Sequence, residues 1–354
     1  MNPVHMNQKP ALEVDDLESV RNQLSNSLDQ LHDADLFLTG GTGFFGRWLV
    51  ESFLHFNRVC RLGAKLTVLS RDPDRFLASA PHLKSDCIRF VKGDVRDFVF
   101  PKGHFTHVIH AATEASAKLD SETPLTMFDV IATGTRRVLD FAVDCGASRL
   151  LYVSSGAVYG PQPAEVSHIT EEHFYGFAPN DSRVAYLEGK RSAEFLCSVY
   201  AGRHALTIPI ARCFAFVGPH LPLDTHFAIG NFMNDRLHGR PIHVRGNGTP
   251  LRSYLYASDM TAWLWRILLK GQSARAYNVG SDLAISIREL AGVVARPAGL
   301  EVIVSDSSQQ SSLRNQYVPS LQRTIEELGC TIEVNLDTGI EYTIGWYIRG
   351  FSSS

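Results

Sequence analysis

The chain has 354 residues, of which 44% are apolar and 20% charged, and its formal net charge is −3. These values are ordinary for a globular protein, so they give no electrostatic reason to expect nucleic acid or an anionic membrane as a partner. The length accommodates one large domain, or a nucleotide-binding domain with a smaller partner domain.

Cysteine usage and the lack of targeting signals predict a cytoplasmic protein. The six cysteines include no C-x-x-C pair, which indicates reduced and mostly buried thiols. Residues 1–10 lack the apolar run of a signal peptide, and no apolar stretch approaches the length of a membrane span. Because of these absences we expect no membrane association. The histidines after residue 212 are scattered, so we expect no metal site.

Residues 1–34 are predicted to form an N-terminal extension with an amphipathic helix. Between residues 12 and 31, apolar side chains recur at intervals of three and four, which defines one helical face. These side chains are Leu17, Val20, Leu24, Leu28 and Leu31. Two roles stay open for this helix, packing on the edge of the main domain and dimerisation, and packing is favoured.

A glycine-rich turn follows the first predicted strand. Residues 39–46 read T-G-G-T-G-F-F-G, between the apolar run 36–38 and a helical pattern. Its three spaced glycines let the backbone turn tightly and approach a pyrophosphate at the helix N-terminus, although a glycine triplet alone can be a simple tight turn. The residues predicted to bind the cofactor here are Gly40, Gly43, Phe44, Phe45 and Gly46.

From residue 35 onward, short apolar runs alternate with helical patterns, which predicts an α/β fold with a doubly wound parallel sheet. The predicted strands are 35–38, 65–69, 88–91, 107–110, 150–154 and 205–210, and the main predicted helices are 45–56, 124–145 and 183–201. Ligands of such sheets bind at the C-terminal ends of the strands. We assign residues 35–212 to a dinucleotide-binding domain and 213–354 mostly to a smaller substrate-binding domain. Whether one strand and one helix of residues 213–354 return to the sheet of the first domain stays open.

Two downstream motifs carry chemistry. Tyr186 and Lys190 are four residues apart on a predicted helix, so they share one face. The ammonium favours the phenolate, which makes Tyr186 a usable acid or base, and Lys190 can also bind the nicotinamide ribose. Ser154 and Ser155 end a buried strand, where Ser155 would orient a substrate oxygen toward Tyr186. The alternatives are an accidental Tyr-x-x-x-Lys spacing and serines that only cap the strand.

The glycine turn, residues 154–160 and residues 186–190 together resemble the extended short-chain dehydrogenase/reductases that modify nucleotide sugars, the NAD-dependent epimerase/dehydratase proteins. The resemblance implies a Rossmann domain, a small C-terminal domain for the sugar nucleotide and a catalytic set of Ser155, Tyr186 and Lys190. The further cofactor contacts that it implies are Asp94, Val95, Ala111, Ala112 and Ser154. The implied substrate contacts are Asn231 and Arg252, the arginine at the diphosphate.

Two departures from the family's pattern bear on cofactor and reaction. The second strand ends in Ser70 and Arg71, where NAD-preferring relatives carry an acidic residue, and this favours NADP over NAD. The alternative is that Arg71 stacks on adenine while NAD binds. Gly156 and Ala157 replace the Asp-Glu pair of the dehydratases, and related decarboxylases keep a glutamate at the position of Ala157, so both activities are disfavoured.

Three further positions concern the substrate. The family's Arg-x-x-Asn reads R-C-F-A at 212–215, so a usual polar contact to the substrate is missing. Its Asn-Val-x-Gly-Thr reads I-A-T-G-T at 131–135, so the contact of that asparagine is replaced or absent. Glu114 follows the fourth strand, where it would be an auxiliary acid or base beside the sugar or, as is favoured, an exposed carboxylate at the rim.

We predict an NAD(P)-dependent nucleotide-sugar oxidoreductase of the epimerase type, a homodimer, in which Tyr186 takes the C4 hydroxyl proton and the 4-keto sugar is reduced on its other face. The alternative is an NADPH-dependent 4-ketoreductase of a 4-keto-6-deoxy sugar nucleotide. A 4,6-dehydratase and a non-catalytic dinucleotide sensor are less favoured, the sensor because Tyr186 and Lys190 are both present. The resemblance also implies a role in polysaccharide or deoxysugar synthesis.

Overall fold

The computed structural model describes residues 9–25, 27–113, 123–176, 184–223, 227–305 and 315–352. The strands are β1 (Asp35–Thr39), β2 (Lys65–Ser70), β3 (Ile88–Lys92), β4 (His107–His110), β5 (Arg149–Ser155), β6 (Ile210–Cys213), β7 (Phe216–Val217), β8 (Ile242–Val244), β9 (Leu251–Arg252), β10 (Leu255–Tyr256), β11 (Ala276–Val279), β12 (Ile285–Ser286), β13 (Val302–Val304) and β14 (Gln316–Tyr317). The α-helices are α1 (Val14–Leu24), α2 (Phe44–Val59), α3 (Pro73–Ser79), α4 (Pro124–Asp144), α5 (Ala185–Arg203), α6 (Ala228–Leu237), α7 (Ala257–Lys270), α8 (Ile287–Ala295), α9 (Gln322–Leu328) and α10 (Leu336–Ser352).

Seven of these strands form one parallel sheet in the spatial order β11-β6-β5-β4-β1-β2-β3. The chain order reverses between β1 and β4, so a crevice opens there beyond the carboxyl ends of the strands, where ligands of doubly wound folds bind. Strand β5 is buried along its length apart from a half-buried first residue, as expected of a parallel strand covered on both faces. The predicted doubly wound parallel sheet is confirmed.

Apolar side chains of β1 point alternately to the two faces of the sheet. Phe37 packs in a cluster with side chains of α4 and α5, whereas Leu36 and Leu38 belong to the cluster that α1, α2 and α7 help to form. This period of two, together with helices that bury one stripe each, generates two apolar layers around a central sheet. The two layers hold the sheet in place, and the candidate site lies at the carboxyl ends of its strands.

The N-terminal helix is shorter than the sequence predicts. Residues 12–31 do not form one continuous helix, because α1 ends at Leu24 and a separate 3-10 turn spans Leu28–Leu31. The break lies at a Ser-Asn-Ser sequence, whose side chains compete for backbone hydrogen bonds and disfavour helix interiors. All five predicted apolar side chains are nevertheless buried, and α1 packs on α2 and α7.

The sixth strand lies later than predicted. The regular ladder with β5 begins at Ile210 rather than at residue 205, and before it only an isolated bridge joins Thr207 to Arg149. Pro209 explains the shift, because it has no N–H to donate to a ladder. Residues 276–279 then return to the sheet as β11, beside β6. The division of the chain at residue 212 stays a prediction.

Smaller sheets hold the remaining C-terminal segments. They are a three-stranded sheet in the order β12-β9-β14 and the pairs β10-β7 and β13-β8. Helix α8 begins with a capping box, in which Ser286 and Glu289 satisfy each other's backbone N–H groups. Within the described ranges, no helix has the length and apolarity to cross a membrane, and no cluster of three or more His, Cys, Asp or Glu could hold a metal ion.

Candidate active site

The glycine turn between β1 and α2 leaves no space for side chains. Gly40 has a φ of +77°, and a Cβ there would lie 2.5 Å from the backbone of Ala111 at the end of β4. A Cβ on Gly46 would lie 2.1 Å from the Gly40 carbonyl oxygen. The first turn of α2 therefore rests directly on the loop. This cradle fits the pyrophosphate of a dinucleotide.

The two phenylalanines of the turn pack inward. The rings of Phe44 and Phe45 lie 5.5 Å apart, and Phe45 meets Phe216 edge to face at 5.2 Å. Both side chains contact the apolar cluster beneath α2. Their role in cofactor binding stays a prediction.

Lys190 is buried beneath the end of β5. Its Nζ donates to the carbonyl oxygen of Val153 at 2.8 Å and to Thr113 Oγ1 at 3.1 Å, and it lies 5.9 Å from the centre of the Tyr186 ring. Burial lowers the pKa of this ammonium to about 8. Helix α5 thus places both predicted residues together, with a positive charge beside the phenol.

The two serines that end β5 have different surroundings. Ser154 donates its hydroxyl to Glu194 at 2.6 Å, and Glu194 also binds the Arg212 guanidinium at 2.7 Å. Ser154 is therefore part of a buried ionic network. Ser155 instead accepts a hydrogen bond from the Ala157 N–H at 3.1 Å.

The buried network of Ser154, Glu194 and Arg212 also connects β6 to the segment after β5 and to β11. Arg212 also donates to the hydroxyl of Tyr159 at 3.0 Å, and Tyr159 donates to Asn278 of β11 at 2.6 Å. Ile131, where the family has an asparagine, packs against Gly189 of α5. The contact between α4 and α5 at this position is therefore apolar.

The residues predicted to contact the adenosine part of the cofactor lie at or just after the ends of β2 and β3. Arg71 is exposed, whereas Ser70 is buried and its Oγ accepts from the Asp72 N–H at 3.3 Å. Arg96 donates to Asp94 at 2.8 Å, and this hydrogen bond lowers the pKa of the Asp94 carboxyl, with a smaller effect from the nearby charge of Arg71. Val95 packs against the Cα of Gly134 on α4.

The positions of the predicted substrate residues differ in detail. Arg252 on β9 is half-buried and donates to the carbonyl oxygens of Leu251 at 2.7 Å and Asn315 at 3.2 Å. Asn231 is half-buried on α6. Of the residues predicted to contact the cofactor, Ala111 and Ala112 follow β4 directly, and the Ala111 backbone lies against Gly40. Glu114 lies outside the described residues.

Sequence reasoning missed two residues of this region. His110 bridges Thr39 at 2.7 Å and Thr135 at 3.0 Å, and burial lowers its pKa to about 3, so it joins β1, β4 and α4 as a neutral ring. The ring of Tyr317 is tilted by 35° against that of Phe214, with ring centres 4.5 Å apart, and its hydroxyl oxygen fills the space beside Gly156. The signal for His110 was its place directly before Ala111, but no local pattern marks Tyr317.

Comparison with known proteins defines the class. The chain belongs to the NAD dependent epimerase/dehydratase family, whose model matches residues 36–280. It is 29% identical to UDP-glucuronic acid decarboxylase 6 of Arabidopsis thaliana, over 86% of both chains. The resemblance stated from sequence is confirmed.

Two solved structures have the same fold. An epimerase of Methanothermobacter thermautotrophicus superposes with a TM-score of 0.79 at 20% identity, over 94% of this chain and 97% of that one. The dTDP-glucose 4,6-dehydratase DesIV of Streptomyces venezuelae, solved with NAD and TYD bound, has a TM-score of 0.77 at 24% identity, over 90% of this chain and 98% of that one. At these identities the likeness establishes the architecture alone.

Proposed function

We propose that this protein oxidises and re-reduces C4 of a nucleotide sugar, as an epimerase does. The observation that carries the proposal is the buried Lys190 ammonium beside Tyr186, bonded to the strand that ends at Ser155. Family membership supports a nicotinamide dinucleotide and a nucleotide sugar as ligands. A bound NAD(P) supplies reversible hydride transfer.

The chain's own residues handle the proton. Tyr186 accepts the proton of the C4 hydroxyl during oxidation and returns it during reduction. Lys190 stabilises the phenolate that forms, because its ammonium is held close and with little water around it. Ser155 donates a hydrogen bond to the same sugar oxygen. A positioned acid and base of this kind contributes about 10²–10⁴-fold to the rate.

The absence of a carboxylate pair separates this proposal from dehydration and decarboxylation. Relatives of the chain include enzymes named for those two reactions. Removal of water across C5 and C6 needs a base and an acid in addition to the group at C4. Gly156 and Ala157 supply neither, since they carry no ionisable side chain. Oxidation and reduction at C4 alone need only Ser155, Tyr186 and Lys190.

The cofactor is proposed to be NADP, through Arg71. The Arg71 side chain is exposed at the end of β2, where an adenosine 2′-phosphate would lie. The hydroxyl of Ser70 is turned to the backbone, so the argument rests on the guanidinium alone. For the sugar nucleotide, Arg252 is proposed to bind the diphosphate, because it is the half-buried cation of the C-terminal sheet beside the site.

A panel of UDP-, dTDP-, GDP- and CDP-sugars tests the proposal. Each sugar is incubated with the purified protein, and the configuration at C4 of the product is read by NMR. The expected result is a C4 epimer formed without net consumption of dinucleotide. Stoichiometric consumption of NADPH with a 4-keto-6-deoxy sugar would instead establish the ketoreductase. No change in any sugar would overturn both.

A further inference from the structure

A compact turn follows β4 and contacts two separate parts of the candidate site. The Thr113 N–H donates to the carbonyl oxygen of Ala111 at 3.1 Å, which closes the turn. On one side, the Ala111 backbone lies so close to Gly40 that a Cβ on this glycine would be 2.5 Å from it. On the other side, Lys190 Nζ lies 3.1 Å from Thr113 Oγ1. The turn therefore joins the glycine-rich loop before α2 to the buried lysine of α5.

The direction of the hydrogen bond between Lys190 and Thr113 is fixed by the groups around it. An ammonium group can only donate, and a carbonyl oxygen can only accept. The Thr113 hydroxyl gives its single proton to the carbonyl oxygen of Ala112 at 2.7 Å. Its oxygen therefore accepts from Lys190 Nζ. This contact has only one possible assignment of donor and acceptor.

Two of the three ammonium protons of Lys190 are engaged by the protein. One is donated to the carbonyl oxygen of Val153 at 2.8 Å and another to Thr113 Oγ1. Within the described ranges of the chain, no third acceptor is hydrogen-bonded to Nζ. The ammonium is thus held from two sides, and its third proton is left for a ligand. Val153 uses its backbone for this contact, so Thr113 is the partner that a substitution can remove.

The hydroxyl of Thr113 also favours the charged form of Lys190. Burial lowers the pKa of the ammonium to about 8, and each acceptor that binds the ammonium opposes this effect. Removal of one acceptor should therefore lower the pKa of Lys190 further. The titratable and charged groups that face Lys190 are His110 on β4, Tyr152 on β5, Tyr186, Glu194 and Cys197 on α5, and Cys213 on β6.

We propose that Thr113 is a positioning residue, whose hydroxyl holds the Lys190 ammonium where it serves both Tyr186 and the nicotinamide ribose. Through the same turn, the contact of Ala111 with Gly40 sets the ammonium relative to the loop that would hold the pyrophosphate. The inference rests on the proposed function of the site. It also has a consequence for dinucleotide binding that needs no sugar substrate.

The pH dependence of dinucleotide affinity tests this role. Affinity for NADPH or NADH, whichever binds more tightly, is measured by fluorescence titration between about pH 6 and pH 10. Wild-type affinity should fall as Lys190 loses its charge, because an ammonium is the stronger donor. Thr113→Val keeps the side-chain shape without the hydroxyl, so the midpoint of this fall should move about one pH unit lower. Thr113→Ser should keep the wild-type midpoint. An unchanged midpoint in Thr113→Val would overturn the proposal.

A second background separates contact with the ammonium from packing. In Lys190→Met, the additional change Thr113→Val should not alter dinucleotide affinity at any pH, because there is no ammonium to hold. Thr106→Val removes a threonine hydroxyl directly before β4, where it donates to the carbonyl oxygen of Asp35, and should leave the midpoint in place. If Thr113→Val costs the same affinity with and without Lys190, the residue acts through packing and the proposal is wrong.

Steady-state kinetics then connect the ammonium to the reaction. In Thr113→Val, the basic limb of the pH profile of kcat should also move to lower pH, and Thr113→Ser should restore it. A kcat that falls by the same factor at every pH would contradict the positioning role. If the wild type converts no sugar nucleotide, the proposed function fails, while the dinucleotide titrations still decide whether Thr113 holds the ammonium.

Discussion

At the scale of single residues, the candidate site depends on charge placed close to hydroxyl groups. Lys190 has its ammonium fixed by the carbonyl oxygen of Val153, so it cannot move away when the phenol of Tyr186 changes its charge. Ser154 and Ser155 are neighbours in sequence but serve different networks, because successive side chains of a strand point to opposite faces.

Tyr186→Phe should abolish turnover and leave dinucleotide binding nearly intact. The change removes the proton carrier without touching the glycine cradle, and proton transfer by such a group is worth about 10²–10⁴-fold. Steady-state kinetics and dinucleotide titration measure the two effects separately. Tyr200→Phe on the same helix is the matched control. Wild-type turnover in Tyr186→Phe would contradict the assignment of the catalytic set.

Arg71→Ala should weaken NADP far more than NAD. A charge-assisted hydrogen bond to the 2′-phosphate is worth about 1.5–3 kcal/mol, roughly a factor of ten to one hundred in Kd. The measurement is fluorescence titration with both dinucleotides. Arg75→Ala removes the same charge from an exposed position nearby and should not discriminate between them. Equal losses for the two cofactors would mean that Arg71 only stacks on adenine.

The wild type should form no 4-keto-6-deoxy product from dTDP- or CDP-glucose, because Gly156 and Ala157 offer no acid or base. Gly156→Asp with Ala157→Glu should not create the activity, since a side chain at 156 collides with Tyr317 and Phe214. Mass spectrometry of the sugar nucleotide detects the loss of water. If the wild type forms this product at an ordinary rate, the argument is wrong, and Glu114→Gln then tests whether that side chain supplies the missing group.

At the scale of elements, the junction of β1 and α2 couples helix packing to ligand binding. In an ordinary helix, Gly→Ala is stabilising by about 1 kcal/mol. Gly46→Ala should do the reverse, because its Cβ would meet the Gly40 carbonyl oxygen and overpacking costs about 1–3 kcal/mol. Dinucleotide affinity should fall roughly tenfold as the loop and helix separate.

The matched control for this junction is Gly202→Ala, near the end of α5, where an added Cβ meets nothing within 4 Å. It should be neutral or stabilising and should not change dinucleotide affinity. Urea unfolding and dinucleotide titration are run on both variants. A Gly46→Ala protein that binds as tightly as the wild type would show that the turn tolerates a side chain.

Local patterns explain how far the elements were predictable. Strands β1 to β5 lie within one residue of their predicted bounds at each end, because buried parallel strands are short apolar runs between turn residues. The sixth was misplaced because an apolar run continues through Pro209, and only the ladder shows where hydrogen bonding begins. Tyr317 was missed for another reason. The motif at 156 shows that a carboxylate is absent, but which distant residue fills the space is a property of the tertiary fold.

At the scale of the whole molecule, the N-terminal extension is fastened to both halves of the chain. The carbonyl oxygen of Ala11 accepts from the indole N–H of Trp346 on α10 at 2.9 Å, and the Leu12 N–H donates to Glu51 of α2 at 2.6 Å. The buried face of α1 therefore supports packing as its role. The homodimer and the cytoplasmic location stay predictions.

Two buried carboxylates lie where α1 meets α7. Asp16 accepts from the Tyr256 hydroxyl at 2.9 Å, and Asp259 accepts from the Gln23 amide at 2.8 Å. Burial raises the pKa of each to about 6 from an ordinary value of 3.8. Nearby acidic groups add to both shifts, and Asp259 is one of those that act on Asp16. Both groups therefore bind protons more tightly in the folded protein than in the unfolded chain.

The sign of the resulting pH dependence follows from linkage. Between about pH 4 and pH 6, the folded state binds more protons than the unfolded state at these two groups. The free energy of unfolding therefore falls as the pH rises through that range. Each group contributes at most about 1.4 kcal/mol per unit of pKa shift. Asp16→Asn keeps an oxygen for the Tyr256 hydroxyl but cannot ionise, so it should flatten this part of the profile and raise stability above pH 6 relative to the wild type. Asp259→Asn should also flatten the profile but lower stability, because its NH2 group would face a donor at one of the two oxygens that accept from Gln23 and from the N–H groups of Glu333 and Val334. Urea unfolding at a series of pH values from 4 to 7 measures the slopes, with the exposed Asp29→Asn as control. Slopes equal to that of the wild type in both variants would show that the two carboxylates are already ionised in the folded protein.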